Sequence, residues 1–126
     1  MATQISQRKS AADTETSAIP ATEKTRIEGF GMACAGDAIL SKIHGEEELS
    51  ILFERASESR VPVGFRGAGA SYGDAALSTN HYLCDLSSMN RILEWNPETG
   101  VLCVEAGATI AQIWKRTIAD GYWPPI

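Results

Sequence analysis

The stretch Phe65-Arg66-Gly67-Ala68-Gly69-Ala70-Ser71-Tyr72-Gly73-Asp74 decides the fold of this chain. Gly67, Gly69 and Gly73 follow directly on the apolar run Val61-Pro62-Val63-Gly64-Phe65. Glycine admits positive φ and lets backbone N–H groups approach a ligand with no Cβ in the way. Successive N–H groups in such a turn form an anion-binding concavity. Arg66 brings a fixed positive charge and Ser71 a hydroxyl donor. A strand that runs into a loop of this kind suits a diphosphate.

Other phosphate loops fit less well. A P-loop needs G-x-x-x-x-G-K-[ST], and no lysine occurs between Lys42 and Lys115. A Rossmann loop needs a third glycine and a helix to open. Tyr72 stands where that glycine should be, and residues 73–80 are too short and polar for the crossover helix. Asp85 lies eighteen residues after Gly67, the spacing of a ribose-binding acid. The alternative for Asp85 is to close a strand and start the turn at Leu86 to Asn90.

A chain of 126 residues is one small domain or a piece of a larger one. A hydrophobic fraction of 44% is ordinary for a globular protein. A formal net charge of −5, with no Lys/Arg stretch, argues against nucleic acid as a partner. The odd set Cys34, Cys84 and Cys103 has no C-x-x-C spacing, which points to reduced thiols and away from a disulfide frame or a metal site. Cys84 and Cys103 sit inside apolar runs and read as buried filler. No apolar run reaches the roughly 18 residues of a membrane span, and no signal-peptide core opens the chain. The Ser/Thr/Ala-rich residues 1–25 read as a mobile tail, and a cytoplasmic location is the default expectation.

Ordered structure is expected from about Arg26, with residues 27–36 as an irregular lead-in and Ala38 to Leu40 as a short strand. Glu46 to Ser59 is the first helix. Its three leading glutamates suit the helix dipole, and Leu49, Leu52, Phe53 and Ala56 form its apolar face. Val61 to Phe65 is a strand, with Pro62 at its start or on a sheet edge. His81 to Leu86 is a second apolar run. Arg91 to Trp95 and Val101 to Glu105 flank a turn-rich stretch and read as a hairpin. Thr109 to Ala119 is the second helix, capped by Thr109 and ended by Gly121. Its apolar side is Ile110, Ile113, Trp114 and Ile118. Tyr122 to Ile126 is extended and apolar. Such a segment at the end of a chain suggests an amino-terminal fragment; the alternative is that it docks on the chain's own sheet.

The string from Arg66 to Asp74 resembles the pyrophosphate loop of the FAD-linked oxidases of the vanillyl-alcohol oxidase, or PCMH, type. Its Ser-Tyr-Gly-Asp ending is most similar to the decaprenylphosphoryl-ribose oxidase and aldonolactone oxidase branch. The resemblance continues through Asp85-Leu86-Ser87, Asn90-Arg91-Ile92, Val104 to Thr109 and Gly121 to Pro125. It implies an α+β fold, the first half of a PCMH-type FAD-binding domain, over residues 26–126, with two helices packed on small β units. It also implies that Gly67, Ala68, Gly69, Ala70, Ser71 and Tyr72 hold the FAD diphosphate. Arg66 then either orients the loop or makes a salt bridge at the strand end. Gly73 belongs to the same loop, and Asp74 fixes its turn by accepting backbone N–H bonds. Tyr72 covers the flavin or simply packs. Glu105, Gly107 and Thr109 frame a close strand-to-helix turn or act as a plain helix cap. Several relatives carry a flavin-bonding histidine where this chain has Ala70, so the FAD is expected to be non-covalent. His44 and His81 fall outside the loop and read as surface or strand residues.

The parent reaction implied is oxidation of an alcohol in a sugar-like substrate. No catalytic residue and no metal ligand is assigned on this chain. The alternatives are a non-catalytic truncated remnant or interaction module, and a nucleotide-binding domain unrelated to flavin.

Overall fold

The computed structural model describes residues 23–124. In chain order the elements are β1 (Thr25–Glu28), a 3-10 turn (Phe30–Met32), β2 (Ala35–Lys42), α1 (Glu46–Ser59), β3 (Val63–Arg66) and β4 (Tyr82–Asp85). A second group follows: β5 (Ile92–Asn96), β6 (Val101–Val104), α2 (Ile110–Thr117) and a 3-10 turn (Ile118–Asp120). The class is α+β, as the sequence implied. Most of the tail expected over residues 1–25 lies outside the described residues. At its end, Lys24 Nζ donates to Asn80 Oδ1 at 2.9 Å and Thr25 already opens β1.

The first sheet has the order β1-β2-β4-β3. β2, β4 and β3 are parallel, with Ile39 and Val63 both in register with Tyr82. Their carboxyl ends, Lys42, Asp85 and Arg66, therefore lie side by side. Side chains alternate across a strand, and β4 shows it: Leu83 packs with Ile27, Ala38 and Leu77 on one side, Cys84 with Ile43 and Leu52 on the other. α1 supplies the cover for the Cys84 side. Leu52 and Ala56 are buried and Leu49 packs against that core, whereas Phe53 stays 43% exposed and meets Phe65 edge-on, with ring centroids 6.2 Å apart. Pro62 precedes β3, which is an edge strand, and its carbonyl accepts from Tyr82 N at 3.0 Å.

The expected irregular lead-in is corrected. Its first part is β1, antiparallel to β2 from Thr25↔Ala38 to Glu28↔Ala35, and β2 is correspondingly longer than Ala38 to Leu40. Only Ile27 of β1 is buried, so the segment has no alternation to betray it; backbone pairing alone makes it a strand.

In the hairpin, β5 is shifted by one residue from the expected bounds, and β6 starts at Val101 as expected but ends one residue earlier. The side-chain oxygen of Asn96 accepts from the N–H of Glu98 and Thr99 and shapes its turn. Leu102 and Val104 form the more sheltered face, and Val101 and Cys103 face outward. Cys103 is thus exposed, which corrects its reading as buried filler. Cys84 is buried, and burial, with Asp85 beside it, pushes its thiol up to about 11. Thr109 makes a capping box with Gln112 at the start of α2. Ile110, Trp114 and Ile118 on the apolar side of α2 remain exposed. Tyr122 and Trp123 fold back on this unit: Tyr122 stands edge-on to Trp95 with centroids 5.1 Å apart, and Trp123 packs on Trp114 at 5.6 Å. No helix among the described residues is long and apolar enough to cross a membrane.

Two contacts join the hairpin unit to the sheet and to itself. Gly107 N donates to Met89 O at 2.8 Å, and a Cβ at Gly107 would overlap the Leu86 carbonyl. Glu105, nearly buried, accepts from Arg91 N at 2.7 Å and from Arg91 Nε at 2.8 Å. These bonds hold the Glu105 carboxyl below the usual carboxylate range.

Leu52→Ala should destabilise the protein by about 3 kcal/mol, the usual cost of emptying a closed apolar site. Phe53→Ala should cost roughly 1 kcal/mol, since half of that ring is already in water and one aromatic contact is lost. Urea unfolding of the two variants measures the difference. Glu105 gives a pH test. A carboxyl with a lowered folded-state pKa contributes stability above its unfolded value, about 4.3, and loses it as pH falls through the folded value. The stability gap between wild type and Glu105→Gln should therefore be constant near neutral pH and shrink below about pH 4.3. Melting curves at several pH values check it; a gap that widens in acid would contradict the ion pair.

Candidate functional site

The glycine loop leaves the carboxyl end of β3 and returns to β4 without a helix. In open α/β sheets such carboxyl edges are where ligands bind. Among the described residues, the N–H groups of Gly67, Ala68, Gly69, Ala70, Ser71 and Tyr72 donate to no protein acceptor, and the Ser71 hydroxyl has no partner. Except for half-buried Gly69, all six residues are exposed. Unpaired donors gathered in one loop favour an anion that can accept from several of them at once. At Gly67 and Gly73 a Cβ would meet nothing within 4 Å, so the space beside them is open.

Arg66 shapes this loop from within the sheet. Its Nη1 donates to Ala76 O at 3.1 Å and its Nη2 to Glu28 O at 3.3 Å. The guanidinium thus bridges the return of the loop and β1. Its partners are carbonyl oxygens, not a carboxylate, so of the two readings of Arg66 the geometry favours orientation over a salt bridge. The positive charge is left without an ion-pair partner among the described residues and adds to the loop's attraction for an anion. Gly69 has φ +71°, and a Cβ there would run into the Arg66 guanidinium. Glycine at 69 is required by the left-handed backbone and by Arg66.

Asp74 accepts through its backbone carbonyl, from Leu77 N at 3.0 Å; its carboxylate accepts no N–H bond among the described residues, which corrects the role given to it. Tyr72 is 85% exposed and packs on one side only, edge-on to Phe30. Asp85 Oδ1 accepts from Ser87 N at 2.9 Å, so it closes a strand and starts a turn. Glu105 and Thr109 are occupied by the ion pair and the helix cap, and the close approach at Gly107 is to the protein's own backbone. His44 is exposed beside Glu48, and His81 lies at the head of β4 near Ser78.

The sequence reading missed the lead-in. Glu28, Gly29 and Phe30 border the loop, and a cleft of about 510 Å³ lies between Arg26, Glu28, Leu40, Arg66 and Asp85. The one available signal was an aromatic residue set between two glycines, Gly29-Phe30-Gly31.

A family described as "FAD binding domain" matches residues 38–126. Decaprenylphosphoryl-β-D-ribose oxidase of Mycolicibacterium smegmatis is 31% identical over 112 residues, which cover 88% of this chain and 24% of that protein. The chain thus spans about a quarter of the length of this relative. Among solved structures, p-cresol methylhydroxylase with substrate bound is 24% identical with a TM-score of 0.55, over 64% of this chain and 16% of that one. Glycopeptide hexose oxidase complexed with teicoplanin is 13% identical with a TM-score of 0.59, over 80% and 23%. These likenesses concern the fold. With the match over residues 38–126, the chain belongs to the FAD binding domain family.

Proposed function

We propose that this chain grips the diphosphate of FAD in an FAD-dependent oxidoreductase, and that the full-length protein oxidises an alcohol carbon of a sugar-like substrate. The observation that carries the first part is the row of uncommitted N–H groups from Gly67 to Tyr72, with the Ser71 hydroxyl beside them. The residues fit the group: the row is exposed, the charge of Arg66 stands behind it, and the sides of Gly67 and Gly73 are open. Arg66 and Gly69 hold the curve of the loop, and Gly73 and Asp74 close it. Bound flavin supplies the redox chemistry, accepting a hydride, while the protein supplies binding and orientation. No residue of this chain is given a catalytic role. The cofactor is held without a covalent bond to this segment, because Ala70 offers no nucleophile at the position where relatives carry histidine. The sugar-like substrate rests on the likeness to a relative named as a ribose oxidase.

A second reading, a non-catalytic interaction module, has one observation in its favour. Ile110, Trp114, Ile118, Val101 and Trp123 leave much of the hairpin unit's apolar surface exposed.

Gly67→Val separates the readings. The new side chain enters open space, so the fold should be kept, but it would occupy the room of the phosphates. Losing two charge-assisted bonds of about 1.5 kcal/mol each weakens FAD binding roughly 100-fold. The measurement is FAD uptake by the full-length protein, followed by absorbance and by acid release of the flavin. Wild-type affinity in this variant would remove the loop from the site. A wild-type protein that stays colourless in excess FAD would favour the interaction module. Anaerobic bleaching of the bound flavin by aldoses and pentoses tests the substrate class.

A further inference from the structure

Residues 23–37 lie outside the span that matches the FAD binding domain family, yet three successive residues among them touch the loop. The Glu28 carbonyl accepts from Arg66 at 3.3 Å. Gly29 is buried, and a Cβ there would stand 2.7 Å from the Gly73 carbonyl oxygen. The Phe30 ring meets the Tyr72 ring edge-on, with centroids 5.5 Å apart and planes at 82°. The contacts fall at the start of the loop and at its far corner, on either side of the uncommitted N–H row.

The lead-in is itself fixed. β1 is tied to β2 over four paired residues. Beyond β1, Gly29 N donates to Cys34 O at 2.9 Å and Met32 N to Gly29 O at 3.0 Å. A loop whose N–H groups must stay free cannot hold its shape by bonding to itself. Its shape has to come from neighbours that use other atoms, and the lead-in uses a carbonyl, a bare Cα and a ring.

We propose that Gly29 and Phe30 are positioning residues for the cofactor loop. They act through Gly73 and Tyr72 and hold that corner in the shape that receives the diphosphate. The proposal rests on the reading of the loop as the FAD diphosphate site. Preorganisation raises affinity by removing the cost of ordering the loop on binding, and the loss should appear mainly as faster release.

The test uses the full-length protein and measures FAD affinity and release rate for Phe30→Ala, Phe30→Tyr, Tyr72→Ala and the double variant Phe30→Ala/Tyr72→Ala. Phe30 is half exposed, so Phe30→Ala should lower the melting temperature of the apoprotein by no more than a few degrees. Phe30→Ala should weaken FAD about tenfold, and Phe30→Tyr, which keeps the edge contact, should restore it to within about twofold. The double variant should be no weaker than Tyr72→Ala alone, because Phe30 works through that ring. Gly29→Ala should also weaken FAD, by pushing on the Gly73 carbonyl. Wild-type affinity in Phe30→Ala, fully additive losses in the double variant, or no rescue by tyrosine would each overturn the assignment while leaving the loop reading intact. Absence of FAD from the wild-type protein would overturn both.

Discussion

The Arg66 guanidinium, bonded to the carbonyls of Ala76 and Glu28, is the interaction on which the rest of the site depends. A loop proposed to bind phosphate faces two opposed demands. Its N–H groups must be left unbonded by the protein, yet its backbone must be ordered. Donors brought in from outside resolve the conflict, because a guanidinium takes up carbonyl oxygens and leaves every amide of the loop untouched. Arginine serves here better than lysine would, since its planar fork reaches two acceptors in fixed directions. The same packing explains glycine at position 69, where any side chain would displace the fork.

Much of this was legible in the sequence, because the decisive signals are local. The strand-to-loop transition at Phe65-Arg66-Gly67, the leucine spacing of α1 and the Thr109 cap each follow from residues within a few positions of one another. The stretch from Arg66 to Asp74 could be set apart from a P-loop and a Rossmann loop by elimination, through the missing lysine and the tyrosine at position 72. What stayed hidden depends on partners distant in sequence. β1 is a strand because β2 pairs with it, and its side chains carry no alternating pattern. Cys103 and Val101 face outward because Leu102 and Val104 turn toward the sheltered face, and an apolar run does not say which of its two faces is covered. The carboxylate of Asp74 was expected to bind N–H groups, as short acidic side chains in turns often do; here the backbone carbonyl does so.

The second unit is joined to the sheet by backbone contact. Gly107 lies against the carbonyls of Leu86 and Met89, so the hairpin and α2 are located relative to the carboxyl end of β4, the same edge from which the glycine loop springs. The Arg91–Glu105 pair closes the base of the hairpin with one nearly buried carboxylate and one exposed guanidinium. A single edge of the parallel sheet therefore sets the place of both the loop and the hairpin unit.

The strand order carries a consequence for how the molecule assembles. β3 follows β2 in the chain, but β4 lies between them. The segment from β2 through α1 to β3 thus has a gap one strand wide, and neither neighbour closes its ladder until Tyr82 to Asp85 slides in. The pairing of Ile39 with Tyr82 joins strands separated by a whole helix and the glycine loop, and long-range contacts of this kind slow folding. Until that strand is in place, two bare ladder edges stay open to strands of other molecules.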